Sequence, residues 1–373
     1  MRQASQDGSW GMGEMLPTTR ELAETYGVSP WVVTQELQKL VDEGILYTIP
    51  RVGTFVGRQQ PIPTGYYLML LQQTGLGNDI RRQAQIGFEE RVATLGGASL
   101  VMSLDKALEH LRCGELPALS GVFDFAYAPE DEIVWQSPAG VPVVRFIPSG
   151  TRENPNGYPN QATDVVSFDD NDGGRQATQH LLQLRHHNIA FLGLHPLKSA
   201  QNRYLWSAQR QSGWQAEMEN AGYSTRGLSF HPPLEPASQA HNVNRESEIQ
   251  LACETARALV RNRDITAVVA ANDFAALGLF AALREAQVPS DRWPSVVGFD
   301  DLPQAQSYVL TSLRLPWEEV GKAAINLLWE RKQGQIEAPT QERRIKLRLI
   351  SRLTSRQNWS QEVNHAALAA ALP

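Results

Sequence analysis

Hydrophobic residues in segment 15–57 follow the spacing of two short helices and then of a β-hairpin. Leu22 and Tyr26 are four positions apart, which places both side chains on one face of a helix. A second apolar series with helical spacing consists of Val33, Leu37, Leu40 and Val41. Residues 45–49 and 54–56 then predict two strands joined by a turn. The segment is therefore predicted to fold as helix, tight turn, helix and β-hairpin.

End signals support both predicted helices. Thr18 and Glu21 have the spacing of a capping box, in which each side chain accepts a hydrogen bond from the other residue's backbone N–H. Gly27 can end the first helix in the left-handed conformation. Ser29 is a suitable N-cap for the second helix. Pro30 suits its first position, because an N–H there would have no helical partner.

From Tyr66 onward, short apolar runs alternate with amphipathic segments such as 173–184 and 274–286. The apolar runs predict buried strands at residues 66–71, 98–103, 121–125, 141–146, 164–168, 189–194, 267–271 and 295–299. Strands that alternate with helices form parallel sheets with both faces covered. Because there are too many such units for one small sheet, we predict two α/β lobes.

These patterns divide the chain into a head, a linker, a two-lobed domain and a tail. The predicted bounds are 1–57 for the head, 58–65 for the linker, 66–359 for the two-lobed domain and 360–373 for the tail. The first lobe is expected at about 66–165 and 314–345, and the second at about 166–313 and 346–359. The chain is expected to cross between the lobes near 164–168, 311–316 and 345–350. Three crossings would form a hinge that bends but does not rotate freely.

Composition narrows the class of protein. The hydrophobic fraction of 42% and the charged fraction of 20% are those of a globular protein. The formal net charge of -6 gives no sign of nucleic-acid binding, although such binding depends on local charge. The chain has two cysteines, which fit a reducing cytosol better than a framework of disulfides. Residues 1–15 lack the apolar core of a secretory signal, and no apolar stretch is long enough to span a membrane. We therefore expect a cytoplasmic protein that does not contact a membrane.

Residues 16–56 carry L-P-x-x-R-E-L-A at the first helix, V-S at the turn and G-T-F-V in the returning strand. With this spacing the segment resembles the winged helix-turn-helix of the GntR family of bacterial repressors. The resemblance implies operator DNA as a partner, with the start of the second helix nearest the base edges in the major groove. The implied DNA contacts are Arg20, Ser29, Pro30, Trp31, Thr34, Gln35, Arg51, Gly53 and Thr54.

The second helix departs from this family's pattern. Family members usually carry Arg, Thr and Arg where this chain has Pro30, Val32 and Thr34. Residues 1–60 contain five basic and seven acidic side chains, so their net charge of -2 is low for a surface that binds phosphates. A small-molecule-binding protein with a weak or vestigial DNA-binding head is therefore an alternative interpretation.

The longer domain carries the motifs DVVSFDDNDGGRQATQHLLQL, R-x-x-G-W at 210–214, AVVAANDFAALGLFAAL and SVVGFDDLPQAQ. On these motifs, residues 66–356 resemble the regulatory domain of the LacI family, which shares its fold with periplasmic sugar-binding proteins. GntR-type heads joined to LacI-type bodies also occur in repressors similar to the arabinose repressor. The resemblance implies a periplasmic-binding-protein-like domain of parallel α/β sheets in a homodimeric repressor. A small effector, commonly a sugar, would release this repressor from operator DNA.

Three polar residues stand where the LacI family contacts its ligand. Arg210 matches the Arg of R-x-x-G-W, Asn272 the Asn of A-N-D, and Asp300 the first Asp of G-F-D-D. An arginine offers several N–H donors, a carboxylate accepts from two hydroxyls and an asparagine does both, so each suits a polyol. On the other lobe, contacts are expected from groups near Asp79 and Arg145.

Two observations leave the effector's identity open. The family often places Asp where this chain has Ile147, which removes one expected hydroxyl acceptor and leaves a non-sugar metabolite as an alternative. Aromatic residues near the site are expected in the lobe cores, unless one of them stacks on a sugar face. They are Phe125, Tyr127, Trp206, Trp214 and Phe274.

No sequence pattern points to catalysis, a metal or a cofactor. The chain has no H-E-x-x-H, G-x-S-x-G or P-loop motif. His186 and His187 have no third ligand at metal spacing. Residues 169–172 lack the glycine and glutamate positions of an EF-hand, and we expect this acidic run to open a helix. The expected protein is therefore a non-enzymatic binding protein without a cofactor.

Overall fold

The computed structural model describes residues 14–43, 45–49, 53–56, 64–71, 78–125, 140–147, 163–194, 205–232, 245–338 and 340–358. The chain divides after Pro63 into two compact units. The predicted features that lie outside the described residues include Arg51, Tyr127, linker residues 58–63 and the tail 360–373.

The first unit consists of two helices and an antiparallel hairpin in its described residues. Its elements are α1 (Thr19–Tyr26), α2 (Pro30–Asp42), β1 (Leu46–Ile49) and β2 (Gly53–Val56). Thr18 and Glu21 form the capping box of α1, and Gly27 ends this helix at a φ of 63°. The Ser29 hydroxyl accepts a hydrogen bond from the backbone N–H of Val32 and caps α2. The predicted order of elements is confirmed.

The head is held together by a small apolar core. Leu22 of α1 and Val33 and Leu40 of α2 are buried against Leu46 and Val56 of the hairpin. The apolar series of both helices therefore faces the hairpin, as its spacing predicts. One helical residue differs: Tyr26 is exposed at the end of α1, where Gly27 turns the chain away.

The second unit contains two six-stranded sheets in its described residues. The strands of the first sheet are β3 (Tyr66–Leu71), β4 (Ala98–Ser103), β5 (Leu119–Phe125), β6 (Val143–Phe146), β7 (Asp164–Phe168) and β13 (Glu342–Ile345). Those of the second are β8 (Ile189–Leu192), β9 (Ser229–Phe230), β10 (Ala267–Ala270), β11 (Ser295–Phe299), β12 (Thr311–Arg314) and β14 (Arg348–Ile350). The sheet orders are β4-β3-β5-β6-β7-β13 and β9-β8-β10-β11-β12-β14. Neighbouring strands pair in parallel except β12 and β14.

Helices cover these sheets, which confirms two parallel α/β lobes. They are α3 (Asn78–Thr94), α4 (Leu104–Cys113), α5 (Asp170–Gln183), α6 (Leu205–Asn220), α7 (Arg245–Val260), α8 (Asp273–Glu285), α9 (Pro303–Ser307) and α10 (Trp317–Lys332). Central strands such as β7, β10 and β11 are buried along their whole length. Their continuous apolar runs are typical of strands covered on both faces.

The described chain passes between the sheets at three places. After β7 it enters α5, which packs on the second sheet; after β12 it enters α10, which packs on the first; and β13 leads directly into β14. The predicted first-lobe limit at residue 165 needs a correction. All of β7 (Asp164–Phe168) lies in the first sheet, because this strand pairs with β6 on one side and β13 on the other.

In each lobe two long helices cross closely at glycines. A Cβ at Gly174 of α5 would overlap the backbone carbonyl of Arg210, and one at Gly213 of α6 would overlap that of Asn171. The corresponding glycines of α3 and α10 are Gly87 and Gly321. The contact between α5 and α6 brings the start of α5 beside Arg210.

Candidate functional site

Polar side chains gather where the central strands of the second sheet end. Asn272 follows β10 and Asp300 follows β11, and these strands are neighbours in the sheet. Arg210, from α6, has its Nη1 atom 3.7 Å from Oδ1 of Asp300. Three residues predicted to contact the effector therefore lie at the carboxyl edge of one sheet. Ligands of open α/β sheets commonly bind at this edge.

Arg210 is held rigidly and is only 3% exposed. Its Nε donates to Oδ1 of Asp170 and its Nη1 to the carbonyl oxygen of Ala271, both at 2.7 Å. The guanidinium carbon lies 4.6 Å from the ring centre of Trp206 and 4.3 Å from that of Phe299. These contacts fix the guanidinium plane, so Arg210 contributes to the structure of the site as well as to its charge.

Asp300 has an unusual backbone. Its φ is +99° and that of Asp301 is +55°, in a region that residues with a Cβ rarely adopt. The Asp301 carboxylate bonds to Arg314 and Arg352, whereas the Asp300 side chain stays 25% exposed. Backbone strain of this kind is commonly retained at functional sites. The turn after β11 thus presents Asp300 at the strand ends.

Asn272 caps the helix that follows it. Its side-chain oxygen accepts a hydrogen bond of 2.8 Å from the backbone N–H of Ala275. Its side chain also lies near the carboxyl group of Glu248, in the first turn of α7. Sequence reasoning missed Glu248, because no motif includes it and because it reaches the site only through the packing of α7 beside α8. The next residue, Asp273, accepts hydrogen bonds from the backbone N–H of Leu302 and from the hydroxyl group of Ser312.

Burial raises the pKa of several carboxyl groups in this cluster. Burial and the charge of Asp300 raise the pKa of Glu248 to about 7. Burial raises the pKa of Asp170 to about 6 despite its ion pair with Arg210. The pKa of Asp273 is raised to about 8 by burial and by Asp300, against the two hydrogen bonds that it accepts. Burial also raises the pKa of Asp300, which Arg210 opposes. Among the described residues, the cluster therefore has more carboxyl groups than cations to stabilise them.

The first-lobe residues that were predicted to contact the effector, Arg145 and Asp79, lie on different elements, β6 and α3. Arg145 of β6 is buried, with its Nε 3.2 Å from Oδ2 of Asp124 on β5. This position gives Arg145 a structural role, and its effector contact stays a prediction. Asp79 is exposed in the first turn of α3, and Ile147 is half-buried just after β6. The effector contact of Asp79 also stays a prediction.

The aromatic candidates divide between core and site. Phe125 and Trp214 are buried in the core, and Phe274 packs against it. Trp206 is the described candidate that contacts Arg210. Tyr127 lies outside the described residues.

The head presents the start of α2 to solvent. Trp31 is 70% exposed, Val32 is 44% exposed, and Gln35 is also exposed. Thr34 is exposed, and its hydroxyl donates to the carbonyl oxygen of Pro30. Ser29 is committed to its cap. A large exposed indole beside a valine is an apolar surface, and such surfaces commonly mark contact with a partner.

The other DNA-contact candidates lie on α1 and the hairpin. Arg20 is exposed on α1. Thr54 lies on β2, within hydrogen-bond distance of Thr48 on β1. A Cβ at Gly53 would lie 2.9 Å from the sulfur of Met15, an exposed and flexible side chain that can move aside. The assignment of these residues to DNA contacts stays a prediction.

Comparison with known proteins matches both units. Residues 2–56 match the gntR family of bacterial regulatory proteins, and residues 178–355 match the periplasmic-binding-protein-like domain. The chain joins a gntR-type head to a periplasmic-binding-protein-like domain. The predicted combination of head and body is therefore confirmed.

Similar proteins agree with these domains. The HTH-type transcriptional repressor PurR of Haemophilus influenzae is 32% identical to this chain over 194 residues, which cover 50% of this chain and 51% of that repressor. The chain thus spans about half of that relative's length. A LacI-family regulatory protein from Chloroflexus aggregans has a TM-score of 0.55 at 22% identity, covering 79% of this chain and 99% of that one. The complex of the transcriptional regulator CelR with cellobiose has a TM-score of 0.52 at 20% identity, covering 90% and 99%. At these identities the two structures show a shared fold.

The described residues contain no group of three or more His, Cys, Asp or Glu side chains that could hold a metal ion. Their helices also include none that is long and apolar enough to cross a membrane.

Proposed function

We propose that the chain is a cytoplasmic, non-enzymatic transcriptional repressor that binds operator DNA and is released by a small polyhydroxylated effector such as a sugar. The observation that carries the proposal is the cluster of Arg210, Asn272 and Asp300 at the strand ends of a periplasmic-binding-protein-like domain. That domain is joined to a gntR-type head. A head for DNA and a ligand domain in one chain are what ligand-controlled transcription requires.

The chemistry of the cluster supports a polyol as the effector. Asp300 offers a partly exposed carboxylate, which can accept hydrogen bonds from two hydroxyl groups. Trp206, which is half-buried and stacks on the Arg210 guanidinium, offers an aromatic ring on which a sugar can pack. The similar regulator CelR was solved with cellobiose, and we extend that ligand class to this chain as part of the proposal.

The proposal includes a homodimer that reads two half-sites. Among the described residues of the second unit, the large apolar side chains that are most exposed are Tyr308, Val309 and Leu353. They form one patch, because the backbone N–H of Thr354 donates to the carbonyl oxygen of Val309. Covering this patch with the same patch of a second copy would remove it from water. Light scattering that shows a monomer at all concentrations would contradict this part of the proposal.

Two measurements test the main proposal. The full chain is used to select duplexes from a random library long enough for two half-sites, and fluorescence anisotropy then gives the affinity of the selected DNA. A thermal-shift screen of monosaccharides, disaccharides and nucleosides identifies an effector, since a ligand at 100 times its Kd stabilises a protein by about 2.7 kcal/mol.

The expected result is a selected sequence whose binding weakens when the effector is added. Asp300→Asn should remove this response and leave DNA affinity unchanged, because Asp300 lies in the other unit. Ligand binding without selected DNA would support the alternative of a vestigial head. Tighter DNA binding with effector would reverse the proposed sign.

A further inference from the structure

Exposed apolar side chains gather around the start of α2 in the head. Five large apolar residues of the described head are exposed, and four of them lie within residues 26–32. They are Tyr26, Val28, Trp31 and Val32, of which Trp31 is the most exposed, at 70%. Because they are close together in the chain and not scattered over the head, they mark a surface that a partner covers.

The geometry of α2 directs Trp31 away from the core of the head. Residues four positions apart share a face of a helix, so Trp31 and the exposed Gln35 project on the same side. The opposite side carries Val33, Leu37 and Leu40, which are buried in the core of the head. The indole ring is therefore available to a partner without any change in the fold of the head.

The polar groups at the start of α2 are engaged within the helix. The Ser29 hydroxyl accepts from the backbone N–H of Val32 at 3.4 Å, and the Thr34 hydroxyl donates to the carbonyl oxygen of Pro30 at 3.0 Å. Residues 30–35 include no charged side chain. A partner that approaches this turn therefore meets mainly an indole ring and a valine side chain, with the amide of Gln35 one turn further on.

The size and chemistry of this surface fit the edges of DNA bases. A stable protein interface takes about 20–30 residues on each side, far more than this group of four. In the major groove, thymine presents a C5-methyl group that apolar side chains contact, and glutamine can pair with the edge of adenine. The match of residues 2–56 to the gntR family of bacterial regulatory proteins agrees with DNA as the partner of this head.

We propose that Trp31 and Val32 determine the sequence specificity of the head by contacting the C5-methyl groups of thymines in the major groove. This inference rests on the proposed function, since it takes operator DNA as the partner of the head. It narrows that target to half-sites with fixed A·T pairs where α2 lies. The gain comes from removing apolar surface from water, so it differs from a hydrogen bond between an arginine and guanine.

The test uses the full chain and a duplex selected from a random library. Each thymine of the duplex is replaced in turn by uracil, which lacks the C5-methyl group and keeps the base pair and its O4 acceptor. Fluorescence anisotropy gives Kd for the parent, Trp31→Ala and Val32→Ala on every duplex. The control is Arg20→Ala, which removes an exposed cation of α1. If a variant binds weakly, the salt concentration is lowered equally for all proteins, which strengthens binding to phosphates.

We expect uracil to weaken binding of the parent about fourfold at one or more thymines of each half-site, a change that corresponds to about 0.8 kcal/mol for one buried methyl-sized group. Trp31→Ala and Val32→Ala should each abolish the effect at the thymine that the residue contacts. Arg20→Ala should weaken binding of thymine and uracil duplexes equally and keep their ratio. All three side chains are exposed, so these variants should melt like the parent.

Three results would overturn the inference. In the first, no uracil substitution changes the affinity of the parent. In the second, the methyl effect persists unchanged in both Trp31→Ala and Val32→Ala. In the third, Trp31→Ala lowers the mass measured by light scattering and leaves every ratio unchanged, which would assign the surface to a protein contact. A selection that returns no DNA sequence is a different outcome: the proposed DNA-binding function then fails before any scan, and this inference falls with it.

Discussion

Replacement of Arg210 by methionine should destabilise the second unit strongly, because it leaves Asp170 without its partner. Asp170 is 1% exposed, and its Oδ1 receives the 2.7 Å hydrogen bond from Arg210. Its Oδ2 is also buried and has no hydrogen-bond partner among the described residues. Removing one member of a buried ion pair typically costs about 3–5 kcal/mol. We expect a loss of this size for Arg210→Met at pH 8.

The loss should shrink as the pH falls. The pKa of Asp170 is about 6 with Arg210 present, and removal of that cation raises it further. At pH 5 the carboxyl group of the variant is protonated and needs no cation. A raised carboxyl pKa means that the folded state binds the proton more tightly than the unfolded state, so stability rises as the pH falls. Arg210→Met should therefore approach the parent in stability at pH 5.

Urea unfolding of the full chain, followed by circular dichroism at pH 5 and pH 8, measures this difference. Two further variants sharpen the experiment. Asp170→Asn in the Arg210→Met background should recover part of the loss, since it removes the unpaired charge. Asp300→Asn should cost less than about 1 kcal/mol, because this side chain is partly exposed and more distant from Arg210. A loss that is equal at both pH values and unaffected by Asp170→Asn would refute the reasoning.

Three further outcomes are expected. Arg20→Ala should weaken binding of selected DNA and lower the salt slope by about one unit in an anisotropy titration, and an unchanged slope would remove Arg20 from the phosphate contacts. Glu248→Gln should become more stable relative to the parent as the pH rises from about 4.5 to about 7, because the parent must ionise a carboxyl group whose pKa is raised to about 7. A difference in melting temperature between variant and parent that stays constant across this pH range would contradict that. Gly213→Ala should lower the melting temperature more than Ser212→Ala on the exposed side of α6, since its Cβ would overlap the carbonyl group of Asn171; equal melting temperatures would show that the helices can separate.

The local pattern of the sequence was sufficient to predict an element that is long or has strong end signals. The capping box at Thr18 and the apolar runs of β7, β10 and β11 belong to this class. Strands β9, β12, β13 and β14 were not predicted. The sequence of β13, Glu342–Ile345, is mostly charged, and it is a strand only because it pairs with β7. Tertiary pairing overrides local preference in such segments.

The candidate site shows the same limit. Arg210 and Asp300 were found because family motifs mark them, and the structure brings them within 3.7 Å. Glu248 could not be found, since its place depends on how α7 packs beside α8. The assignment of Asn272 from the A-N-D motif stays a prediction, and the structure adds a second role for its side chain. An asparagine that follows a strand and precedes a helix can contact a ligand or cap the helix, and here the cap engages its oxygen.

Under the proposed function, the hinge determines how a ligand that binds one lobe can change the affinity of the chain for DNA. The backbone N–H of Asp169, just after β7, donates to the carbonyl oxygen of Ile345, at the end of β13. Gln176 of α5 reaches the carbonyl oxygen of Leu347, between β13 and β14. Two of the three crossings are thus hydrogen-bonded to each other. Under the proposed function, an effector that contacted only Arg210 and Asp300 would bind the second lobe equally well at every angle of the hinge, and would shift no equilibrium. A response of the proposed kind therefore requires contacts from the first lobe as well, and the free energy of those contacts sets the upper limit of the coupling.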